Sequence, residues 1–387
     1  MRPECTVVTG NSTPRDLMRA AMRRLPTDRI PTMPQIEHHC ALRIQAHRYG
    51  TDWLDGLKHC FEHPRAVYGC VIELVEELGC DGLRLFLGPE PVRIERVGDT
   101  LLAYDRTTGD RVGRMDTVGG GGIIPDVPAE PVQTLHEARE RLERMVQDFS
   151  DERMEGLAEA RGRVPHRFVA SAPGGITMNT YIELRGREQA LSDLHDRPGF
   201  VSDMMELQAE AMIKRAEKLL TTGIDALFIG DATASPSLIG PSHFERFCLP
   251  GYRKFCQHFE NEEVLIYIHI CGNSGPILEM LADTGVDVVE PLDPAGGVSV
   301  SDAKRRIGTR VALMGGLSTR TLAEGTAGEV ASEAILKCRQ GGPHGYVLAA
   351  GCMVPHETPI ENLQAMVDVA TKSLWRDHWE TAGHEGH

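Results

Sequence analysis

Short apolar runs recur along this chain, separated by stretches whose apolar residues repeat at helical spacing. Eight runs read as buried strands: Arg29–Ile36, Cys80–Leu87, His166–Ala172, Asp225–Gly230, Glu263–Cys271, Val286–Leu292, Arg310–Gly315 and Gly345–Ala350. Between and around them, Thr13-Pro14-Arg15-Asp16 opens a helix to about Leu25, with Thr as cap and Pro in the first turn. Helical spacing also marks His63–Gly79, Arg197–Thr222, Pro276–Asp283, Ala327–Gln340 and Glu361–Leu374. Strands alternating with helices in this number predict an α/β fold of the (β/α)8 TIM-barrel type. An open doubly wound sheet would want a Gly-rich phosphate turn early in the chain. The Gly119–Gly122 run follows a polar segment and reads as a loop instead.

One stretch breaks the alternation. Val92–Val97 and Leu101–Tyr104 flank Gly98-Asp99, the pattern of a β-hairpin inserted after strand 2. Residues 90–128 are therefore expected to form a flap at the catalytic face, within a single barrel domain spanning 1–377, followed by a polar, flexible tail at 378–387.

Composition narrows the partners. The net charge of −15 argues against nucleic acid, whose phosphates call for a basic surface. No window approaches eighteen apolar residues, and the N-terminus lacks the apolar core of a signal peptide, so a cytoplasmic location without membrane contact is expected. The ten cysteines are scattered through a long chain, which suggests buried thiols and a few ligands and not a disulfide framework.

Two cysteines stand out by position. His269 and Cys271 are two residues apart at the end of the fifth strand and so share a face; Cys352 lies just past the eighth, 81 residues beyond Cys271. In a barrel all strands end at one mouth, so these side chains are candidate metal ligands on rigid supports. One imidazole and two thiolates suit Zn2+ and leave a fourth position for substrate. Such a site is formally neutral; a substrate thiolate bound to it would stay electron-rich, yet deprotonated near neutral pH. Neighbouring strand ends add Asp231 and Glu290 as catalytic candidates. Glu290 is a candidate fourth ligand displaced by substrate, and Asp231 a candidate to orient His269 or bind substrate. His38 and His39, in the ligand-rich Glu37–Cys40 stretch after strand one, are candidate substrate-binding residues on a loop facing the same mouth. Cys70, Cys248, Cys256 and Cys338 read as buried fillers of helices.

These segments resemble the uroporphyrinogen-decarboxylase-like superfamily and, within it, the zinc-dependent corrinoid methyltransferases of the methylcobamide:coenzyme M type. The resemblance lies in Ala232-Thr-Ala-Ser-Pro236, Phe247-Cys-Leu-Pro250, His269-Ile-Cys-Gly-Asn273, Met314-Gly-Gly316, Gly351-Cys-Met-Val-Pro355 and Thr358-Pro-Ile-Glu-Asn362. It implies a (β/α)8 fold, zinc on His269, Cys271 and Cys352, and transfer of a methyl group between a corrinoid and a small thiol or methylated molecule. The decarboxylase branch fits less well: Gln35–Cys40 stands where its Arg-Gln-Ala-Gly-Arg signature belongs, and Phe86-Leu87-Gly88 where its aspartate belongs. The corrinoid-binding signature Asp-x-His-x-x-Gly is missing too, since Asp193-Leu-His195 is followed by Pro198. The corrinoid is therefore expected on a separate partner protein, and a homodimer is left open. A metal-free decarboxylase and a non-catalytic corrinoid or metal carrier are the alternatives.

Overall fold

The structure, a computed structural model, describes residues 12–117 and 122–376; the expected tail at 378–387 and part of the glycine run lie outside the described residues. Seven strands form one parallel sheet: β1 (Gly82–Arg84), β6 (Phe168–Ser171), β7 (Ala226–Gly230), β8 (Leu265–His269), β9 (Val288–Glu290), β10 (Ala312–Leu317) and β11 (Tyr346–Ala350), in that spatial order. Each neighbour is the next strand of this sheet in sequence, with helices in every connection, as the apolar runs predict.

The expected first strand, Arg29–Ile36, is not a strand. It is an extended segment with a single parallel bridge, Thr32 to Leu348. Pro31 and Pro34 have no N–H, so they cannot sustain a ladder. The segment still joins the two sheet edges. Met33 N–H donates to Leu348 O at 3.2 Å, Leu348 N–H to Pro31 O at 2.9 Å, and Asp81 N–H to Thr32 O at 2.9 Å. The sheet is thus curled like a TIM barrel, with this proline-broken segment where an eighth strand would lie.

Side chains alternate along each strand. One set is turned inward: Phe168 and Ala170, Ala226 and Phe228, Leu265 and Tyr267, Val288, Ala312 and Met314, Val347 and Ala349 pack into a core of their own. Met18, Ala21 and Met22 of the helix Pro14–Met22 belong to that core, so this helix plugs the end where the strands begin. Its N-terminus carries the predicted cap, a reciprocal Thr13–Asp16 capping box. The opposite set, including Leu227, Ile229, Ile266, Ile268, Val289, Leu313 and Leu348, packs against the surrounding helices.

A second, antiparallel sheet has four strands: β2 (Arg93–Val97), β3 (Thr100–Tyr104), β4 (Arg111–Met115) and β5 (Ile123–Pro125). β2 and β3 pair around the Gly98-Asp99 turn. β4 and β5 extend the sheet beyond the two strands expected. Their mostly exposed residues carry no regular apolar alternation to announce them. No helix among the described residues is long and apolar enough to cross a membrane.

Candidate metal centre

β8 and β9 are in register with His269 opposite Glu290, and both side chains take the last inward position of their strands. The His269 ring is buried, and its Nδ1 lies 2.8 Å from Glu290 Oε2. The chain then turns. Gly272 adopts φ +76°, and its N–H donates to Asp293 Oδ2 at 3.0 Å. A Cβ there would stand 2.7 Å from Ser237 Oγ, so a side chain is excluded by both torsion and space. Cys271 is left half-buried between strand and turn. Cys352 arrives from the end of β11, its Sγ 3.8 Å from His269 Nε2.

The three ligand atoms of His269, Cys271 and Cys352 lie within 4.8 Å of one another, a grouping of metal-ligating side chains among the described residues. Tetrahedral zinc with bonds of about 2.0 Å to nitrogen and 2.3 Å to sulfur separates its ligands by roughly 3.5 Å, so the set fits with a small inward movement. The two thiols act on each other: the neighbouring Cys352 lowers the Cys271 pKa, and Cys271, with burial, raises that of Cys352. Burial disfavours the charged imidazole of His269, but the Glu290 carboxylate and the Cys352 contact outweigh it and raise its pKa to about 9.

Glu290 does not stand free for a metal. Oε2 is held by His269, and Oε1 accepts from Arg84 Nη2 at 2.5 Å, with both side chains fully buried. Burial opposes the carboxylate charge, yet Arg84 and His269 hold its pKa below the usual range. Glu290 thus takes the His269-orienting role considered for Asp231. Arg84 is fixed in turn: Nε donates to Tyr267 OH at 2.8 Å, and the guanidinium lies over the Phe228 ring at 4.1 Å. Sequence reasoning missed Arg84, although a charged residue inside an apolar strand, one position from Leu83 and Leu85, is the signal that marks it.

Asp231 sits at the exit of β7 but turns away from the ligand set. Its carboxylate accepts from Thr177 N–H at 2.7 Å, Thr177 Oγ1 at 2.7 Å, Asn179 N–H at 2.7 Å and Tyr252 OH at 2.9 Å. Its link to His269 is through backbone alone, Asp231 N–H to His269 O at 3.0 Å. Burial raises its pKa despite these donors.

His38 and His39 are not in a loop; they open the helix His38–Tyr49. The two rings are edge-to-face at 5.6 Å, and His38 also meets Phe61 at 6.1 Å. His39 Nδ1 is 3.9 Å from Glu37 Oε2, beyond hydrogen-bond reach. Val354 N–H donates to Gln35 O at 3.0 Å and Cys40 Sγ to Val354 O at 3.3 Å, so this helix start is tied to the Cys352 loop. Glu37 lies near enough to Arg84 and His269 to feel both charges, while burial raises its pKa.

Residues 121–373 match the uroporphyrinogen decarboxylase (URO-D) family. The chain is 34% identical over 164 residues to the methylcobamide:CoM methyltransferase MtaA of Methanosarcina barkeri (strain Fusaro), covering 42% of this chain and 46% of that protein. It is 30% identical over 173 residues to the methylcobamide:CoM methyltransferase MtbA of Methanosarcina mazei, covering 44% of this chain and 48% of that one. A uroporphyrinogen decarboxylase of Trichodesmium erythraeum is 26% identical over 243 residues, covering 61% of this chain and 63% of that protein. The chain thus spans about half the length of the curated methyltransferases it matches. In fold it is similar to a methyltransferase from Methanosarcina mazei, with a TM-score of 0.66 at 23% identity over 96% of this chain and 100% of that one. The chain belongs to the uroporphyrinogen decarboxylase (URO-D) family.

Proposed function

We propose that this chain is a zinc-dependent methyltransferase that moves a methyl group between a corrinoid carried by a separate protein and a small thiol or methylated molecule. The observation that carries this reading is the convergence of His269 Nε2, Cys271 Sγ and Cys352 Sγ on one point at the strand exits, with the Glu290 oxygens occupied elsewhere. Three protein ligands make an open site, whereas four would close it. The named relatives among the methylcobamide:CoM methyltransferases support the reaction class.

The role of each residue follows from its contacts. Glu290 accepts a proton-bearing Nδ1 from His269 and so fixes the tautomer that presents the Nε2 lone pair to the ligand site. Arg84 keeps Glu290 ionised and in place from across the curled sheet. Cys271 and Cys352 supply the two negative charges that balance a divalent ion. Zinc held there would act as a Lewis acid that keeps a substrate sulfur deprotonated near neutral pH. His38 and His39, at the helix start beside the Cys352 loop, would face the incoming substrate. The four-stranded sheet would cover the same face as a flap.

The test is metal analysis of the purified protein, with methylcobalamin demethylation measured on a panel of thiols. About one zinc per chain is expected, lost in Cys271→Ala and Cys352→Ala together with demethylation. Turnover of a tetrapyrrole carboxylate that survives chelation and Cys352→Ala would replace this reading with a metal-free decarboxylase.

A further inference from the structure

Between the exit of β1 and the start of the helix His38–Tyr49 lies a cavity of about 150 Å³. Its wall carries three aromatic rings, Phe61, Tyr68 and Phe86, with Val71 among the aliphatic residues that complete it. Its polar members are Glu37, His38, the Tyr68 hydroxyl and Arg84. A cavity of roughly this volume, lined by apolar side chains, holds a molecule the size of benzene. The candidate metal centre is close by, since Glu37 stands near enough to His269 to feel its charge.

The polar groups on this wall differ in reach. The Arg84 side chain has no accessible surface and is matched by Glu290, so it offers a ligand neither charge nor hydrogen bond. The Tyr68 hydroxyl accepts from Gly88 N–H at 3.0 Å, and burial raises its pKa, so it stays uncharged. Glu37 is different: its side chain keeps 20% of its surface exposed. Oε1 accepts from Gln35 Nε2 at 3.3 Å, while His39 Nδ1 stands 3.9 Å from Oε2, beyond hydrogen-bond reach. Burial raises the Glu37 pKa by more than Gln35, Arg84 and His269 lower it, the sign of a carboxyl short of a counter-charge. A ligand must therefore suit a carboxyl set among rings. An anion would meet like charge in an apolar wall. A primary ammonium would bring three donors that rings and aliphatic carbons cannot accept. A quaternary ammonium spreads its charge over methyl groups and donates no hydrogen bond, so aromatic rings and one carboxylate satisfy it.

We propose that this cavity holds the quaternary ammonium head group of a small molecule, with Glu37 as its counter-charge and the rings of Phe61, Tyr68 and Phe86 against its methyl groups. As a ligand pocket this stands on the cavity alone. As a substrate pocket it rests on the methyl-transfer reading, and it makes the substrate a thiol with a cationic head, its sulfur at the His269–Cys271–Cys352 site and its methylated nitrogen here.

The experiment is calorimetric titration of the full chain at pH 8, where an imidazole of ordinary pKa is neutral. Three probes are used: choline, 3,3-dimethyl-1-butanol (the same shape with carbon for nitrogen) and ethanesulfonate. Zinc content is measured on the same samples. Choline should bind about tenfold more tightly than the alcohol, and ethanesulfonate should not compete. Glu37→Gln should bring choline down about tenfold, to the level of the alcohol, and leave the alcohol's affinity as it was. Val71→Phe fills the cavity and should weaken both at least about tenfold with zinc content unchanged; the milder Val71→Leu should fall between. Choline no tighter than the alcohol, competition by ethanesulfonate, or choline affinity indifferent to Glu37→Gln or to both Val71 variants overturns the proposal. Choline bound through Glu37 by protein that holds no zinc keeps this inference and removes the methyl-transfer reading. Zinc bound and thiols methylated from methylcobalamin, with choline no tighter than the alcohol, does the reverse.

Discussion

Buried carboxylates occupy both ends of the parallel strands, and they differ by end. At the entrances, the buried Asp81 and Asp225 and the half-buried Asp287 each stand one residue before β1, β7 and β9. Each accepts a backbone N–H from the neighbouring segment: Thr32 at 2.9 Å, Val169 at 3.0 Å and Ile266 at 2.8 Å. Asp225 further binds Arg15 at 2.6 Å, Arg19 at 3.1 Å and Arg161 at 3.3 Å. At the exits, Glu290 touches no backbone donor but a guanidinium and a candidate metal ligand. An entrance carboxylate locks adjacent chain segments together; Glu290 holds another side chain ready for chemistry. The difference teaches that a buried acid is classified by its partners, and that being charged, buried and at a strand end is not enough.

The sharpest way to break this comparison is Asp225→Asn. Removing the charge leaves three arginine side chains crowded at the barrel base without their counter-ion, and loss of one partner of a buried ion pair costs about 3–5 kcal/mol. Urea unfolding should show a loss of that size, while zinc stoichiometry of the folded protein stays as in the parent. Zinc lost with stability intact would mean that the two ends are not separate in function.

Glu290→Gln probes the other end. The amide keeps the shape but cannot hold the His269 tautomer as a carboxylate does, nor answer the Arg84 charge. Changes to a partner of a metal-ligating histidine cost about 10–100-fold in metal affinity. Competition with a chromophoric chelator should report a loss in that range, against none for Asp225→Asn. If Glu290→Gln binds zinc as tightly as the parent, its bond to His269 is structural only.

Asp231 is the intermediate case, an exit carboxylate with entrance-type partners. Its donors are backbone and hydroxyl groups of Thr177, Asn179 and Tyr252. Asp231→Asn should therefore cost about 1–3 kcal/mol of stability, the penalty for mismatched buried donors, and leave zinc affinity unchanged. A loss of zinc affinity without loss of stability would return Asp231 to the catalytic role the sequence suggested.

How much of this was legible beforehand follows from which interactions are local. Strand positions and the meeting of His269, Cys271 and Cys352 depend on period-two alternation and on strands sharing an exit, both readable from residue order. The link from Glu290 to His269 needs the β8–β9 register, and that from Arg84 to Glu290 needs sheet curvature across several strands. Neither is encoded in any short window. The entrance aspartates were readable and were overlooked: Gly79-Cys-Asp81, Gly223-Ile-Asp225 and Gly285-Val-Asp287 repeat one Gly-x-Asp pattern, each glycine at positive φ where its helix gives way to a strand. The failed first strand was legible too, since Pro31 and Pro34 forbid a regular ladder. The four-stranded sheet was only half visible, because its outer strands lack the apolar alternation of β2 and β3.

The smallest expected effect concerns His39, which tests whether the helix start beside the Cys352 loop behaves like a locked entrance or a prepared exit. Burial, with the nearby charges of His38, His356 and Arg43, lowers its pKa to about 4, against the opposing pull of Asp116. In the unfolded chain its pKa returns to about 6.5. Between those values the unfolded state binds more protons, so acidification favours unfolding. Stability should fall as pH drops from about 6.5 towards 4 and level off, for this residue, once both states are protonated. At pH 5 the share due to His39 is on the order of 1 kcal/mol, reduced from the full shift because water partly relaxes the site. Urea midpoints of the parent and of His39→Gln, compared at pH 7 and pH 5, measure it. The variant should lose less stability on acidification than the parent. An equal loss in both would place the acid sensitivity elsewhere and leave His39 as packing for the helix start.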